Sequence, residues 1–230
     1  MYTKWLGVLK ASPIFNDIEE TNLSTMLQCL KPVKKEYENR EIIALDGTDF
    51  SGIGVVADGK IALTRDTFGG NRVILQVLGP GDIVGEMVAF SNLKKWPFTV
   101  IAQDDCCLFF LPTYKVMGYC SNICSSHSTL IMNILNILSN KAIAFSKTIE
   151  HLSARSIRGR VSSYLLDEFK QRGEKHFSLR MKRNELSDYL GIPRPSLSRE
   201  MANMKNDGII DYDGADITIK SVIRLEEAIE

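Results

Sequence analysis

Apolar residues between positions 181 and 210 recur about once per helical turn, and this spacing is interrupted only at Gly191-Ile192-Pro193. Such a pattern predicts two helices joined by a tight turn. Asn184 can cap the first helix, Gly191 supplies the open backbone that its end needs, and Pro195 suits the first residue of the second helix. The apolar positions are Leu186, Leu190, Ile192, Leu197, Met201 and Met204.

The second of these helices carries polar side chains on or beside its exposed first turns, namely Arg194, Ser196, Ser198 and Arg199. These turns are the part that a recognition helix inserts into the major groove of DNA. The pattern therefore predicts a DNA-reading helix-turn-helix motif. A helical hairpin that only packs within another kind of domain would show the same spacing, so the rest of the chain must distinguish the two.

The segments around this motif predict a winged-helix domain at residues 153–230. Residues 153–158 are polar, basic and aperiodic, as expected of a hinge between domains. A helix over residues 161–169 follows and ends at Arg172-Gly173, and the alternation over residues 176–181 predicts a short strand. After the motif, two short strands flank Asp213-Gly214 and predict a hairpin, the wing.

Residues 33–112 show short apolar runs divided by turn signals such as Asp46-Gly47, Asp58-Gly59 and Gly79-Pro80-Gly81-Asp82. We expect about eight strands that form a small roll or barrel, preceded by a helical packing segment over residues 4–30. A metal-dependent enzyme barrel would need imidazole ligands, and all three histidines come after this region. The roll is therefore expected to be a ligand-sensing or structural module rather than an enzyme.

Between residues 113 and 152 the chain becomes helical again, with apolar residues at alternating spacings of four and three. This heptad pattern is typical of a coiled-coil seam and favours a parallel homodimer, with one wide core face in a monomer as the alternative. A dimer would place its recognition helices about one DNA turn apart, which predicts half-sites roughly 10 base pairs apart. The seam positions are Ile131, Leu135, Leu138, Ala142, Phe145, Ile149 and Leu152.

Together these patterns predict an α+β chain with two domains. Residues 1–152 would form a jelly-roll-like β-roll sensor domain that ends in a dimerisation helix at about 113–152, and residues 153–230 the winged helix-turn-helix domain. The 230 residues, 44% of them hydrophobic and 24% charged, have an ordinary globular composition. No window approaches the roughly 18 apolar residues of a membrane span, and residues 1–9 lack a signal-peptide pattern, so we expect a cytoplasmic protein without a membrane partner.

The net charge of zero conceals a basic segment. Residues 155–199 hold eleven Lys or Arg against five Asp or Glu, a net charge of +6. A basic surface around a candidate recognition helix is typical of a nucleic-acid binder, because phosphate contacts supply most of the sequence-independent affinity for DNA. A solvated charged face is the alternative, but its coincidence with the motif favours double-stranded DNA as a partner.

The order of these parts and two local strings resemble the CRP/FNR family of bacterial transcription regulators over nearly the whole chain. The string at residues 79–86, which ends in Gly85-Glu86, looks like the family's sensor motif, whose Gly-Glu pair lies at the effector pocket. The string at residues 190–199 looks like the family's recognition helix. The resemblance implies a homodimeric regulator, controlled by a small-molecule effector at the roll and the central helix, that contacts RNA polymerase if it is an activator.

The departures from the family pattern are informative about the effector. Members that bind cyclic AMP grip its phosphate with an Arg-Ser pair about ten residues after the Gly-Glu pair, and Trp96 and Pro97 stand at these positions here. Neither can neutralise a phosphate, so we expect an effector other than cyclic AMP. The candidate effector-binding residues are Gly85, Glu86, Thr99, Lys141, Phe145 and Ser146.

The recognition helix also departs from the family, which commonly places an acidic residue where Pro195 stands. Arg194 and Arg199 can still each bind a guanine through its O6 and N7 atoms. Ser196 and Ser198 can reach a base edge or a phosphate. Lys182 and Arg183, at the start of the first helix of the motif, are better placed for phosphates, and we expect them to contribute to binding of all sequences.

The cysteines leave the cofactor unidentified. They are five, an odd number, and iron-sulfur members of the family use several N-terminal cysteines where this chain has only Cys29. Cys106-Cys107 lie in an apolar strand and favour buried, inert thiols. Cys120, Cys124 and His127 could share a helical face and bind a metal or haem, but packing near the helix start is the favoured interpretation, and we predict no metal site.

Two other functions remain open on the sequence alone. A redox or nitrosative-stress sensor could use haem or cysteine chemistry and still act through DNA. A regulatory subunit could lend its roll to a kinase or channel, although the basic winged helix argues against this. An enzyme is not expected, because no nucleophile-base pairing and no metal-ligand spacing is evident.

Overall fold

A computed structural model describes residues 3–66, 72–118 and 125–229 of the chain. The chain forms two compact units, Met1–Asn140 and Lys141–Glu230. The first is rich in antiparallel β-structure and the second is mostly helical with one small sheet. The predicted α+β class, with a β-roll, a long helix and a winged helix-turn-helix, is thereby confirmed.

In the described residues, the first unit begins with two short helices, continues with eight strands that form the roll and ends in helices. Its elements are α1 (Leu6–Ala11), α2 (Glu20–Leu30), β1 (Val33–Tyr37), β2 (Ile42–Ala44), β3 (Ile53–Asp58), β4 (Ile61–Asp66), β5 (Arg72–Leu78), β6 (Ile83–Val84), α3 (Glu86–Ala89), β7 (Thr99–Ala102), β8 (Cys106–Leu111) and α4 (Thr113–Met117), followed by α5 (Ser125–Ser153), which continues into the second unit.

The strands pair into two antiparallel four-stranded sheets, in the orders β1-β8-β3-β6 and β2-β7-β4-β5. The turn signals read from the sequence lie where strands reverse. Gly59, for example, joins β3 to β4 with a φ of +72°, and a Cβ there would overlap the carbonyl oxygen of Asp105. Only glycine fits this turn, which is why Asp58-Gly59 is a reliable signal.

Two apolar clusters form the core of the first unit. One lies between the two sheets and includes Trp96 and Val100. The other packs α1 and α2 on the outer face of the first sheet, and it takes in Leu130 and Ile134 from the first turns of α5, both fully buried. The roll and the start of the long helix therefore share one core.

The second unit adds a three-stranded sheet, in the order β10-β11-β9, to a helical core. The core gathers apolar side chains from all the helices that follow α5 and from the sheet. The elements are α6 (Ile157–Arg172), β9 (His176–Ser178), α7 (Arg183–Tyr189), α8 (Arg194–Asn206), β10 (Ile210–Asp213), β11 (Asp216–Ile219) and α9 (Val222–Glu227).

Three predicted helix boundaries were wrong. The central helix is not continuous over 113–152, because α4 ends at Met117 and Gly118 has an extended backbone, with φ −73° and ψ 148°. Helix α7 begins at Arg183 rather than Asn184, since the Glu185 carboxylate accepts a hydrogen bond from the Lys182 N–H at 2.7 Å and satisfies the helix start there. Helix α8 begins at Arg194, one residue before Pro195.

Candidate nucleic-acid interface and sensor site

Helix α8 is amphipathic in the way that the sequence predicts. Leu197, Met201 and Met204 are at most 1% exposed and anchor the helix in the core of the second unit. Arg194, Ser198 and Arg199 are exposed on its other side, and Ser196, half-buried, accepts a hydrogen bond from Arg199 Nη2 at 3.3 Å. The first two turns of α8 thus present two guanidinium groups and two hydroxyls.

An ion-pair network fixes α8 on α6. Arg158 contacts Glu200 through Nε at 2.6 Å and Asp207 through Nη1 at 2.8 Å, so one guanidinium grips the middle and the end of α8. Arg158 and Glu200 are partly buried, so salt screens this pair less than it screens ions at the surface, whereas Asp207 is exposed. No local pattern in the sequence indicates this pairing, because the partners are more than forty positions apart and each alone resembles a solvated charge.

Lys182 and Arg183 differ in their surroundings although they are adjacent. Lys182 is exposed at the start of α7. Arg183 is half-buried: its guanidinium lies 5.2 Å from the ring centroid of Tyr212, its Nη2 donates to the carbonyl oxygen of Gly214 at 3.2 Å, and its Nη1 contacts the sulfur of Met201. Desolvation lowers the pKa of Arg183 from its usual value.

The wing, formed by β10, β11 and the turn at Gly214, carries three carboxylates. Asp211 is held by Lys205 at 2.7 Å, and the hydrogen bond from Lys205 keeps the pKa of Asp211 below its usual value. Asp216 accepts a hydrogen bond from the hydroxyl of Ser178, and Asp213 is exposed. The wing therefore adds negative charge to an otherwise basic domain.

The last turns of α5 are tied to the helix-turn-helix within the second unit. His151, 3% exposed, shares a hydrogen bond of 2.9 Å with the hydroxyl of Tyr189 on α7, and Thr148 donates to the same hydroxyl at 3.2 Å. Lys147 pairs with Asp167 on α6 at 2.8 Å. Burial is the main cause of the lowered pKa of His151, and the nearby Asp167 opposes it.

The predicted sensor motif forms a tight connection within the roll. Gly85 precedes α3 with a φ of +86°, and a Cβ there would lie 2.7 Å from Phe50 and 2.9 Å from Trp96. Glu86 begins α3 and is 2% exposed. Thr99, at the start of β7, is buried, and its hydroxyl accepts a hydrogen bond from the Asp46 N–H at 3.2 Å.

The indole ring of Trp96 packs next to Gly85. Trp96 is 2% exposed, and its ring lies 4.9 Å from Phe50 and 5.8 Å from Phe98, centroid to centroid. An apolar aromatic cluster thus stands where the resemblance places the phosphate-binding pair of cyclic-AMP binders. Lys94 and Lys95, the nearest basic residues in sequence, are both exposed.

The other three candidate effector residues lie on the part of α5 that belongs to the second unit. Lys141 is half-buried, while Phe145 and Ser146 are exposed. Phe145 is also a seam position. Two seam positions, Ile131 and Leu138, are half-buried, and Leu138 packs against the core of the first unit. The other seam positions are exposed, namely Leu135, Ala142, Phe145, Ile149 and Leu152.

The two cysteines of β8 have the environment of inert thiols, whereas Cys29 on α2 is exposed. Cys106 and Cys107 are buried in β8, and burial raises the pKa of Cys106 to about 11. Cys120 and Cys124 lie outside the described residues, and the His127 ring nitrogen Nε2 is 3.0 Å from the carbonyl oxygen of Lys115. Among the residues that the structure describes, no group of three or more His, Cys, Asp or Glu could hold a metal ion.

A β-roll joined through a long helix to a winged helix-turn-helix defines a DNA-binding regulator with an effector-binding domain. Family models agree: the cyclic nucleotide-binding domain matches residues 34–122 and the Crp-like helix-turn-helix domain residues 159–228. The chain belongs to the CRP/FNR family of bacterial transcription regulators, a family of regulators and not of enzymes. Over the described ranges, no helix is long and apolar enough to cross a membrane.

Individual relatives are similar over most of their length. The cyclic AMP receptor protein of Thermus thermophilus is 23% identical over 219 residues, which are 95% of this chain and 97% of that protein. The transcriptional activator protein FnrA of Stutzerimonas stutzeri is 23% identical over 85% of this chain and 78% of its own. The crystal structure of the Thermus thermophilus catabolite activator protein matches with a TM-score of 0.56 at 22% identity, covering 95% of this chain and 98% of that one.

Proposed function

We propose that this protein is a homodimeric, sequence-specific transcription regulator whose helix α8 reads the major groove of DNA. The observation that carries this is the two-sided character of α8, with Leu197 and Met201 locked in the core while Arg194 and Arg199 remain exposed. The Arg158 network holds this helix by two ion pairs. A rigid helix with exposed guanidinium groups on its first turns suits base readout.

The expected readout is of guanines. Arg194 and Arg199 can each bind the O6 and N7 atoms of a guanine, and Ser198 can reach a base edge or a phosphate. Pro195 provides no carboxylate for a cytosine amino group, so the half-site should differ from that of relatives with an acid there. Lys182 contributes a phosphate contact that is independent of sequence.

The exposed part of the α5 seam supports the homodimer. Leu135, Phe145 and Ile149 are 48%, 54% and 66% exposed, and they repeat at heptad spacing along one face. Apolar side chains of this size in a row are typical of a surface that a partner covers. A second copy of α5 would cover them and place the two α8 helices for half-sites roughly 10 base pairs apart.

We further propose that a small-molecule effector other than cyclic AMP controls the protein, in the cytoplasm, through the roll and α5. The roll and the start of α5 share one core through Leu130 and Ile134, so a change in the roll is passed to this helix. An effector needs to favour one arrangement by only a few kcal/mol to shift the population. As an activator, the DNA-bound dimer would also contact RNA polymerase.

The test is selection of binding sites from a random double-stranded DNA library, followed by Arg199→Ala. We expect a palindromic site with guanines in each half-site. Arg199→Ala should lower the affinity for that site by about 1–3 kcal/mol and relax the preference at one base per half-site, because it removes a base contact. Fluorescence anisotropy titrations on the selected site and on random DNA measure both effects.

Lys182→Ala is the matched control, since it removes the same charge from an exposed position nearby. The affinity should fall by a similar factor on both DNAs. Equal decreases for Arg199→Ala on the two DNAs would contradict the assignment of Arg199 to a base. Failure of the wild type to enrich any sequence would overturn the proposal and favour a regulatory subunit instead.

A further inference from the structure

The surroundings of Arg183 point to a role in the wing. We propose that Arg183 is a positioning residue, which fixes the wing against the recognition helix α8 and thereby sets the base preference, and that it makes no phosphate contact. The inference rests on the proposed function, because it concerns how α8 is presented to DNA. It replaces the sequence-based expectation that Lys182 and Arg183 act alike on phosphates.

The contacts of Arg183 join three elements that are far apart in sequence. From the first residue of α7, its guanidinium contacts Met201 on α8, lies over the ring of Tyr212 on β10 and donates to the carbonyl of Gly214 at the wing turn. A planar guanidinium can stack on a ring with its face and donate hydrogen bonds from its edge at the same time. One side chain thus sets the distance from the wing to α8.

The charges around Arg183 disfavour a phosphate. Gly214, whose carbonyl accepts a hydrogen bond from Arg183, lies between Asp213 and Asp216 in the wing hairpin, so a phosphate brought to this guanidinium would approach carboxylates of its own charge sign. The same carboxylates favour a cation at the wing turn. A guanidinium that turned to DNA would also leave its three present partners.

Lys182 shows what a phosphate-binding residue at this end of α7 should look like. It is exposed, one position before Arg183, and its ammonium group can follow a phosphate without displacing the wing. The adjacent pair therefore offers two cations with the same formal charge and different surroundings. Substituting each in turn separates a phosphate-binding role from a positioning role.

The experiment compares Lys182→Met, Arg183→Met and Arg183→Lys in the full chain, on the selected site and on random DNA of equal length, over 50–200 mM salt. In the proposed homodimer each substitution acts twice, so removing a phosphate-binding cation from both subunits should reduce the slope of log K against log salt by about 1.8, which is about 0.9 for each lost phosphate contact. We expect this for Lys182→Met, with an equal decrease in affinity on both DNAs. Arg183→Met should keep the wild-type slope and bind about tenfold more weakly on the selected site only, the discrimination of about one base pair.

The variant Arg183→Lys distinguishes the effect of the charge from the effect of the geometry of the guanidinium. Circular dichroism shows whether each variant is folded. If Arg183→Met is unfolded, Arg183→Lys still tests the inference. An ammonium keeps the charge but cannot both lie flat on Tyr212 and donate along its edge, so the variant should bind the selected site as weakly as Arg183→Met does. Full rescue by lysine, or a slope for Arg183→Met reduced as in Lys182→Met, would overturn the inference. No enriched site for the wild type would instead refute the proposed function.

Discussion

The proposal that the effector is not cyclic AMP rests on Trp96, which stands where cyclic-AMP-binding members of the family place a phosphate-binding arginine. A buried phosphate needs a fixed cation and hydrogen-bond donors. Trp96 instead presents an apolar ring, packed against Phe50 and Phe98 and within reach of any Cβ at Gly85. An anionic ligand next to these rings would lose its hydration without gaining a countercharge.

We therefore predict that cyclic AMP does not stabilise this protein. A ligand at one hundred times its Kd adds about 2.7 kcal/mol to the free energy of unfolding, which a thermal scan detects easily. With cyclic AMP at 1 mM, about that excess for a Kd of 10 μM, the unfolding temperature should not change. The cyclic AMP receptor protein of Thermus thermophilus is the positive control, and a saturable increase for this protein would contradict the prediction.

At this scale the sequence shows which residue is absent but not what surrounds its replacement. The sequence alone shows that Trp96 stands where the family pattern has an arginine. It does not show that Trp96 packs against Phe50, because this cluster forms only when strands and loops far apart in sequence meet in one core. Arg183 is a second example. Its charge and position predict a phosphate contact, and only the fold of the wing reveals that its guanidinium is half-buried.

Among the elements, the connection between α5 and α7 depends on a buried histidine. His151 faces Tyr189 on α7, Tyr164 and Asp167 on α6, and Lys147 one turn earlier on its own helix. Glu150 and Glu168 add weaker attraction for a proton than Asp167 does. Because burial outweighs these acids, the neutral ring is the form that this packing favours.

Lowering the pH below about 6.5 should therefore destabilise the second unit. The pKa of His151 is lowered by folding, so the unfolded chain takes up the proton first as pH falls from the ordinary value of 6.5. The stabilisation that the neutral His151 ring gives to the folded state is complete above pH 6.5, and it is lost as the pH falls toward the lower pKa that His151 has in the folded protein. Thermal unfolding followed by circular dichroism between pH 7.5 and about 5, above the range in which most carboxylates titrate, measures it.

His151→Gln is the matched variant, because its amide can still hydrogen bond to the Tyr189 hydroxyl but does not titrate in this range. Its unfolding temperature should fall less than that of the wild type between pH 7.5 and 5. If both fall in parallel, other groups account for the pH dependence and the assignment to His151 is wrong.

The presence of each helix and strand could be predicted from the local sequence pattern. The residues at which the helices begin and end could not, because they depend on contacts that the pattern does not contain. The motif helices and the wing were predicted within a few residues, since glycine, proline and apolar spacing act locally. The start of α7 was misplaced because the carboxylate of Glu185, and not the side chain of Asn184, satisfies the helix start. The central helix was predicted too long because apolar spacing does not reveal that the backbone is extended at Gly118.

At the scale of the whole molecule, the exposed face of α5 is the feature on which the proposed homodimer rests. Its exposed seam holds large apolar side chains, and the same helix enters the core of the roll at one end and contacts α6 and α7 at the other. A homodimer would use this helix for assembly and for signal transfer together. DNA affinity should then depend on residues that never approach DNA, because the two recognition helices bind as a pair only when the seam is closed.

Ile149→Asp tests this dependence, and Ile223→Asp is a closely matched control. Ile149, on the seam, is 66% exposed, and Ile223, on α9, is 67% exposed, so neither substitution fills or empties a core. We expect Ile149→Asp to place two like charges in the coiled coil and to convert the dimer to monomer in sedimentation velocity, whereas Ile223→Asp stays dimeric. Affinity for a palindromic site should fall at least about tenfold for Ile149→Asp, toward that for a single half-site. If Ile149→Asp remains dimeric and Ile223→Asp becomes monomeric, the dimer interface lies on α9 and not on the seam. If the wild type is monomeric, the seam is not a dimer interface and the proposal of a homodimer is wrong.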